Sequence, residues 1–167
     1  IGETNGTYMM NSDVATITTL STTKVYRLNI ADYTYESIDV TLDNSLLSGK
    51  TYVAEYNYLC GSYIYAATTT FIFADNGKVI IQSVSPSHDD GEDACMNDQY
   101  EPSFASKKGV EGTYLVNGNK VKINVNGQEF TFLIDNVLTT NSMTCLETTI
   151  SSNEHGYFKE GTMFNKQ

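Results

Sequence analysis

Apolar and polar residues alternate with a period of two along much of the chain, most clearly in Gly112–Asp135. This alternation predicts half-buried β-strands. Within the stretch, Asn126-Gly127 is the dipeptide most typical of a two-residue type I′ hairpin turn. A turn at this position sets the pairing of the two flanking strands and places their apolar residues on one face. The pairs predicted on that face are Val125 with Gln128, Ile123 with Phe130, and Val121 with Phe132.

Similar turn signals divide the rest of the chain into short strands. Asn117-Gly118-Asn119 predicts a second tight turn, and Asp75-Asn76-Gly77 predicts a third. We expect an antiparallel up-and-down β-barrel or a strongly curved β-sandwich, with one or two short helices at most. Outside Gly112–Asp135, the predicted strands are Thr7–Met10, Ala15–Leu20, Val25–Ile30, Ile38–Leu42, Thr51–Cys60, Tyr63–Ala74, Lys78–Ser85, Val137–Thr139, Ser142–Ile150 and Tyr157–Phe164.

The first strands of the chain echo the stretch that begins at Gly112. Gly6-Thr7-Tyr8, Asn11 and Ile17 have the same relative positions as Gly112-Thr113-Tyr114, Asn117 and Ile123. Three interpretations stay open: chance similarity of hairpins, the tail of a similar preceding unit, or a strand set of shared ancestry. The echo continues, after a link two residues longer, with Tyr26, Leu28 and Ile30 alternating as Phe130, Phe132 and Ile134 do.

We divide the chain into an N-terminal strand segment, residues 1–45, and a main domain, residues 46–167. The segment has two alternating apolar runs that water would solvate poorly. We therefore expect it either to dock on the main domain or to pair with the sheet of a neighbouring molecule. The runs are Tyr26, Leu28 and Ile30, and Ile38, Val40 and Leu42.

The main domain resembles the lipocalin-like extracellular domains of bacteria over roughly two-thirds of the chain. The matching segments are turns and alternating apolar residues, so the resemblance concerns the fold more than a particular activity. It implies a small up-and-down barrel without catalytic residues. The segments that carry it are Leu47–Tyr52, Thr70–Val79, Gly112–Val121 and Asn126–Ile134.

The composition narrows the classes of partner. Asp and Glu number 20 against 10 Lys and Arg, for a formal charge of −10. Such a chain has no basic stripe for phosphates, which excludes a general nucleic-acid or anionic-membrane binder. No apolar run approaches the ~20 residues of a membrane-spanning helix. We expect an exported protein, secreted or attached to the cell surface, in which Ile1 follows processing or excision.

Aromatic residues on the predicted strands are candidates to line a ligand cavity. An eight-stranded barrel either fills its interior with side chains or holds one small ligand. Both outcomes stay open, although a filled core is the simpler one. The candidates are Tyr52, Tyr56, Tyr58, Phe71, Phe73, Tyr114, Phe130 and Phe132.

Residues 86–110 lose the alternation and predict a long loop with a cluster of acidic side chains. Carboxylate oxygens at this density suit Ca²⁺, although the spacing is not that of an EF-hand. A solvated acidic loop is the alternative, and no other cofactor is expected. The candidate ligands are Asp89, Asp90, Glu92, Asp93 and Asp98.

Three cysteines, Cys60, Cys95 and Cys145, have neither CxxC spacing nor nearby histidines, which argues against a zinc site. We expect either three reduced thiols or one disulfide, Cys60–Cys145 or Cys60–Cys95. In the first pairing Cys95 is the free thiol.

No motif of serine hydrolases, phosphate-binding loops or zinc proteases occurs. We therefore predict a protein that is not an enzyme. The first function that we expect is a lipocalin-like binding module, with a small apolar ligand inside or a protein or glycan at the loops. The alternative is a structural subunit of an extracellular filament or surface layer, assembled by strand pairing through residues 1–45.

Overall fold

A computed structural model describes residues 6–11, 13–19, 23–29, 31–60, 63–84, 105, 108–149 and 158–167. In these ranges the chain is almost wholly β, with twelve strands and one 3₁₀ helix at Asn44–Leu46. The prediction of an all-β protein with little helix is confirmed. The strands are β1 (Gly6–Asn11), β2 (Val14–Thr19), β3 (Thr23–Asn29), β4 (Thr34–Ile38), β5 (Thr51–Cys60), β6 (Tyr63–Phe73), β7 (Lys78–Val84), β8 (Val110–Asn117), β9 (Lys120–Val125), β10 (Gln128–Ile134), β11 (Ser142–Thr148) and β12 (Met163–Lys166).

Strands β5 to β12 close into an eight-stranded antiparallel barrel. Each strand pairs with its neighbours along the chain, so the barrel is of the up-and-down type. The short strand β12 closes it, since Asn165 pairs with Val53 and Lys166 with Tyr52 of β5. Of the two predicted architectures, the barrel is therefore the one formed.

The hairpin of β9 and β10 has the predicted register. Ile123 pairs with Phe130, and Asn126 and Gly127 form the two-residue turn with φ angles of 49° and 80°. Both angles lie in the left-handed region that a type I′ turn requires. The burial pattern of both strands alternates, so the apolar pairs face the barrel interior as predicted.

The preceding hairpin, β8 and β9, turns through Gly118 and Asn119, since Asn117 pairs with Lys120. Tyr114 and Val116 lie on the same buried face as the apolar residues of β9, which confirms the prediction for these strands. On β8, β9 and β10, buried and exposed side chains alternate. A shift of the strand register by one residue would therefore expose all the buried apolar side chains of the shifted strand.

Aromatic side chains fill much of the described barrel interior. Phe71 is fully buried, and its ring centroid lies 5.0 Å from that of Phe164 and 5.3 Å from that of Phe132. Phe158, from the segment before β12, belongs to the same cluster, and its ring centroid lies 5.9 Å from that of Phe71. Edge-to-face pairs of this kind add roughly 0.5–1.5 kcal/mol each beyond the area that they bury.

Strands β1 to β4 form a separate four-stranded antiparallel sheet in chain order. Its first hairpin repeats the geometry of β8 and β9: Tyr8 pairs with Ile17 as Tyr114 pairs with Ile123. The sequence predicted that the link between the second and third strands is two residues longer than in the barrel, but the structure does not have this longer link. In the structure Tyr26 therefore corresponds to Phe132, and Leu28 to Ile134, because the link to β3 has the same length as the β9–β10 turn.

The fourth strand of this sheet was predicted at Ile38–Leu42 but lies at Thr34–Ile38. The Asp32 carboxylate accepts hydrogen bonds from the backbone N–H and the hydroxyl of Thr34, at 3.2 and 2.7 Å. This side-chain turn starts the strand early. Val40 and Leu42 follow the strand and pack, half-buried, against the core.

The N-terminal sheet contacts the barrel through a face that the sequence analysis did not single out. Val14 and Val25 are buried at 5% and 2% exposure and belong to the same apolar cluster as the barrel core. Thr23 of β3 lies against the β8–β9 turn, since its Oγ1 is 2.7 Å from where a Cβ at Gly118 would be. Tyr26 and Leu28 point to the opposite face, because side chains alternate along a strand.

Two predicted strands near the C-terminus are wrong. Residues 137–139 form a turn, because the Asn136 carboxamide oxygen accepts hydrogen bonds from the backbone N–H groups of Leu138 and Thr139, at 2.9 and 3.3 Å. The strand predicted at Tyr157–Phe164 begins only at Met163 in the described residues. A turn at residues 159–162 precedes it, with Gly161 at a φ of 85°.

We predict that Phe71→Ala lowers the free energy of unfolding by about 3–5 kcal/mol, because it removes the ring at the centre of the cluster and leaves a cavity. Urea denaturation followed by circular dichroism measures this. Leu115→Ala is the control: this β8 side chain is 61% exposed, so we expect a change within about 0.5 kcal/mol. Equal effects of the two substitutions would contradict the assignment of the core.

Candidate functional site

The aromatic residues proposed to line a ligand cavity pack against one another in the described interior. Six of them are at most 4% exposed, and Tyr56 is half-buried. The side chain of Tyr58 lies outside the described residues. The arrangement of the seven described rings is that of a filled core. The six buried candidates are Tyr52, Phe71, Phe73, Tyr114, Phe130 and Phe132.

The polar ends of this core are tied to the backbone. The Tyr52 hydroxyl donates a 2.7 Å hydrogen bond to the Thr140 carbonyl, and burial raises the pKa of the phenol. The Lys50 ammonium donates to the Leu46 carbonyl and to the Thr140 hydroxyl, at 2.6 and 2.7 Å. Desolvation, together with nearby Lys166, lowers the pKa of this lysine. These groups fasten one end of the barrel.

A shallow depression of about 550 Å³ lies beside the 3₁₀ helix. Asn44 forms its floor by bonding to β8 as a strand residue would. Its Oδ1 accepts from the Val116 N–H at 2.8 Å, and its Nδ2 donates to the Tyr114 carbonyl at 3.3 Å. The residues that line the depression are Asp43, Asn44, Ser45, Ser48, Asp75, Leu115 and Val116.

Two carboxylates give the depression a negative rim. The hydroxyl and the backbone N–H of Ser45 donate to Asp43 at 2.6 and 2.8 Å, and these bonds lower the pKa of the carboxyl. Asp75 accepts a hydrogen bond from Ser48. Burial, followed by the charges of Asp75 and Asp43, raises the pKa of Tyr114, whose hydroxyl donates to Asn44 and Ala74 carbonyls.

The depression therefore offers hydrogen-bond acceptors to solvent, and the hydroxyl of the neighbouring buried Tyr114 is already used as a donor to backbone carbonyls. Sequence analysis placed the boundary between the N-terminal segment and the main domain within this stretch, after residue 45, and missed the site. One signal was present: Asp43 two residues before Ser45 is typical of a side-chain cap at the start of a helical turn.

The structure corrects one of the two disulfide pairings. Cys145 is a free, buried thiol, so the Cys60–Cys145 bridge is not formed. The reason is its position on the inner face of β11, where it contacts the apolar core. Burial, followed by the charge of Glu160, raises the pKa of this thiol to about 12. The Cys60 side chain and Cys95 lie outside the described residues, and their pairing stays a prediction.

The acidic cluster proposed to bind Ca²⁺, Asp89–Asp98, also lies outside the described residues. Within the part of the chain that the structure describes, no three His, Cys, Asp or Glu side chains are grouped to hold a metal ion. Calcium binding by the loop stays a prediction. Among the described residues, no helix is long and apolar enough to cross a membrane.

The N-terminal sheet presents an exposed apolar surface, which we call the aromatic face. Tyr8 is 78% exposed, Tyr35 is 71% exposed, and the Tyr35 ring meets Tyr26 edge-to-face at 5.6 Å. Strand pairing places these side chains on one side, opposite the buried Val14 and Val25. The aromatic face consists of Tyr8, Met10, Ile17, Tyr26, Leu28 and Tyr35.

Comparison with protein-family models finds no matching family, and comparison with curated proteins and with solved structures finds no significant match.

We predict that Asn44→Ala lowers the free energy of unfolding by roughly 2 kcal/mol, because the Val116 N–H and the Tyr114 carbonyl lose their partner. Urea denaturation measures the change. Asn124→Ala, at an exposed position on β9, is the matched control and should stay within about 0.5 kcal/mol. A loss for Asn44→Ala no larger than the control's would show that the carboxamide does not hold the helix to β8.

We predict that the Cys145 thiol does not react with Ellman's reagent at pH 8 in the native protein. With a pKa raised from 9.0 to about 12, the group stays protonated until the pH approaches 12. Replacing Cys60 and Cys95 with serine leaves Cys145 as the sole reporter. Guanidinium should release full reactivity, whereas rapid native labelling would contradict the buried position.

Proposed function

We propose that the chain is a non-enzymatic, exported binding module that contacts another polypeptide unit through the aromatic face of its N-terminal sheet. The observation that carries this proposal is the exposure of that face. Apolar patches of this kind mark interaction sites, because water solvates them poorly. Tyr and Met are also among the side chains enriched at protein interfaces.

The interior of the barrel gives less support to a small-ligand carrier. Its described aromatic side chains lie in ring-to-ring contact, with Phe71 within 6.4 Å of Phe73 and of Phe130. A ligand would have to displace rings that already stabilise the fold. The barrel is thus better suited to act as a rigid support, and its outer surfaces to recognise a partner.

The titratable groups favour a role without catalysis. The pKa values of Tyr52, Tyr114 and Cys145 are raised, which keeps them in their protonated, less nucleophilic forms. The pKa of Lys50 is lowered, but its amine already donates to two oxygens, one of them the Leu46 carbonyl. Each of these groups has a structural partner or a buried position that explains its shift.

Export is supported by composition and by resemblance. A formal charge of −10 suits a soluble protein outside the cell. The turn and strand pattern of the main domain resembles that of bacterial extracellular lipocalin-like domains. Attachment to the cell surface and secretion are both compatible with the proposed role.

A structural subunit assembled by strand pairing is the second candidate. Strands β1 and β4 form the two edges of the N-terminal sheet, and within the described residues each pairs on one side only. Edge strands of this kind accept a further strand readily. In this version the partner adds along β1 or β4, instead of covering the aromatic face.

A photo-reactive amino acid incorporated at position 35 tests the binding proposal. We expect irradiation of the protein in its native extracellular setting to join position 35 to a polypeptide segment outside residues 1–167, of the same or of another molecule, identified by mass spectrometry. The same photo-reactive residue at position 163, an exposed apolar position on β12 outside the depression, is the matched control and should give no adduct. Equal labelling at the two positions, or none at either, would contradict a specific contact surface. Native mass spectrometry that finds a retained apolar molecule would favour the small-ligand carrier instead.

A further inference from the structure

The N-terminal sheet and the barrel share one strand-pairing scheme. Strand β1 is joined to β2 through a two-residue loop, with Asn11 paired to Val14, as Asn117 is paired to Lys120 in the barrel. The next hairpin agrees as well, because Thr18 pairs with Thr23 at the positions of Asn124 and Glu129. Strands β1 to β3 thus match β8 to β10 pair by pair.

The correspondence extends to the fourth strand. Leu28 pairs with Tyr35 of β4, just as Ile134 pairs with Met143 of β11. The connection before β4 is two residues shorter than the one before β11, and the register after it agrees as far as Tyr26 with Ser37 and Phe132 with Cys145. The barrel then has a bulge that the N-terminal sheet lacks. Four consecutive antiparallel strands with this much shared register are much less easily explained by chance than the short sequence echo.

Most side chains on the matched faces are apolar in both sheets, with the exception of Lys24 at the position of Phe130. Ala15 is buried like its counterpart Val121, but the large side chains differ in burial. The barrel face buries Tyr114, Ile123 and Met143 to 4% exposure or less. Their counterparts on the aromatic face are Tyr8, Ile17 and Tyr35, which are 78%, 40% and 71% exposed. Apart from Lys24, this side of the sheet therefore has the apolar pattern and the β1–β3 register of a barrel's inner wall, and its large side chains face solvent.

The face of the N-terminal sheet opposite the aromatic face corresponds to the outer surface of the barrel. At the positions of Lys120 and Lys122, which are exposed on the barrel, the sheet carries Val14 and Thr16, which are buried at 5% and 2% exposure. Val14 joins the apolar cluster of the barrel. The outer side of the sheet is thus adapted to lie against the barrel, and its inner side stays free to face another unit.

A second copy of the chain does not suit the aromatic face. A four-stranded sheet of about five residues per strand has a footprint near 320 Å². Two such faces would cover roughly 640 Å² in total, below the ~1,000 Å² that a specific interface should clear. Each copy also carries a formal charge of −10, which opposes association. Face-to-face stacking would leave both sheet edges unpaired.

We propose that strands β1 to β4 are the second half of another eight-stranded barrel, completed by strands of the same polypeptide that precede Ile1. This rests on the proposed function and names the partner: four complementary antiparallel strands with alternating apolar side chains, in the places that β5–β7 and β12 have in the barrel. The strand beside β4 then also comes from ahead of Ile1, because β4 leads directly into the 3₁₀ helix and β5. Closure covers the aromatic face and pairs the free edges of β1 and β4, which stacking cannot do. The protein is then a tandem of barrels that contact each other through the Val14–Val25 side.

Thiol labelling tests this proposal. Tyr35→Cys is made with Cys60 and Cys95 replaced by serine, in the Ile1–Gln167 chain and in the protein expressed with the residues that its gene encodes ahead of Ile1. We expect Ellman's reagent to label position 35 rapidly in the shorter chain and at least 100-fold more slowly in the longer protein. Leu115→Cys, on the barrel wall, should react equally fast in both. Tyr8→Cys repeats the measurement at the other edge of the face, in case one variant does not fold.

Three outcomes would overturn the proposal. One is equal labelling of positions 8 and 35 in the two proteins. Another is protection already present in the shorter chain together with a dimer in analytical ultracentrifugation, which would make a second copy the occupant. The third is a gene that encodes fewer than roughly 35 residues of mature protein ahead of Ile1, too few for the missing strands. Protection of the longer protein only by a separate molecule would leave the proposed function standing and reject the tandem barrel.

Discussion

The fold depends on the packing of aromatic rings inside a closed sheet. Phe71 contacts rings contributed by β6, β10, β12 and the segment before β12, so it joins strands that are distant in sequence. Such contacts require every strand to present its apolar side inward, and a slip of one residue in any of them would break several ring pairs at once. The turns serve this requirement: Asn126 and Gly127 adopt the left-handed angles that keep Ile123 opposite Phe130.

The same constraint explains why the barrel surface, and not its interior, is the better candidate for recognition. A ring-filled interior leaves the chemistry of the protein to its loops, its depression and its N-terminal sheet. The polar side chain of Asn44 beside the depression is already used in structural hydrogen bonds. Its carboxamide takes the place of a strand residue beside β8. In contrast, the aromatic face has apolar side chains that no other described part of the chain covers.

The match between the strand pairing of the N-terminal sheet and that of the barrel is the basis for our interpretation of the aromatic face. In the tandem that we propose, the N-terminal sheet and the complete barrel differ in what covers their inner walls. The inner wall of the barrel is covered by its own strands, and the inner wall of the N-terminal sheet is exposed. Apolar side chains that are exposed on a sheet have an unfavourable free energy of solvation. This free energy is recovered when strands with complementary apolar side chains cover them.

The sequence alone determined the strand type, the tight turns and the register of β8 to β10, because these depend on local alternation and on residues that tolerate positive φ. It also placed the echo of Gly112–Ile123 at Gly6–Ile17. It did not determine the start of β4 or the turn at residues 137–139, where the side chains of Asp32 and Asn136 accept hydrogen bonds from backbone groups and override strand propensity. It also did not determine the start of β12, which follows a turn at residues 159–162. Only the tertiary structure decided that the sheet closes as an eight-stranded barrel, that Cys145 is buried without a disulfide, and that the 3₁₀ helix borders a depression. The tertiary structure also decided which side of the N-terminal sheet is covered. Alternation in the sequence shows which residues share a face, but it does not show what packs against that face.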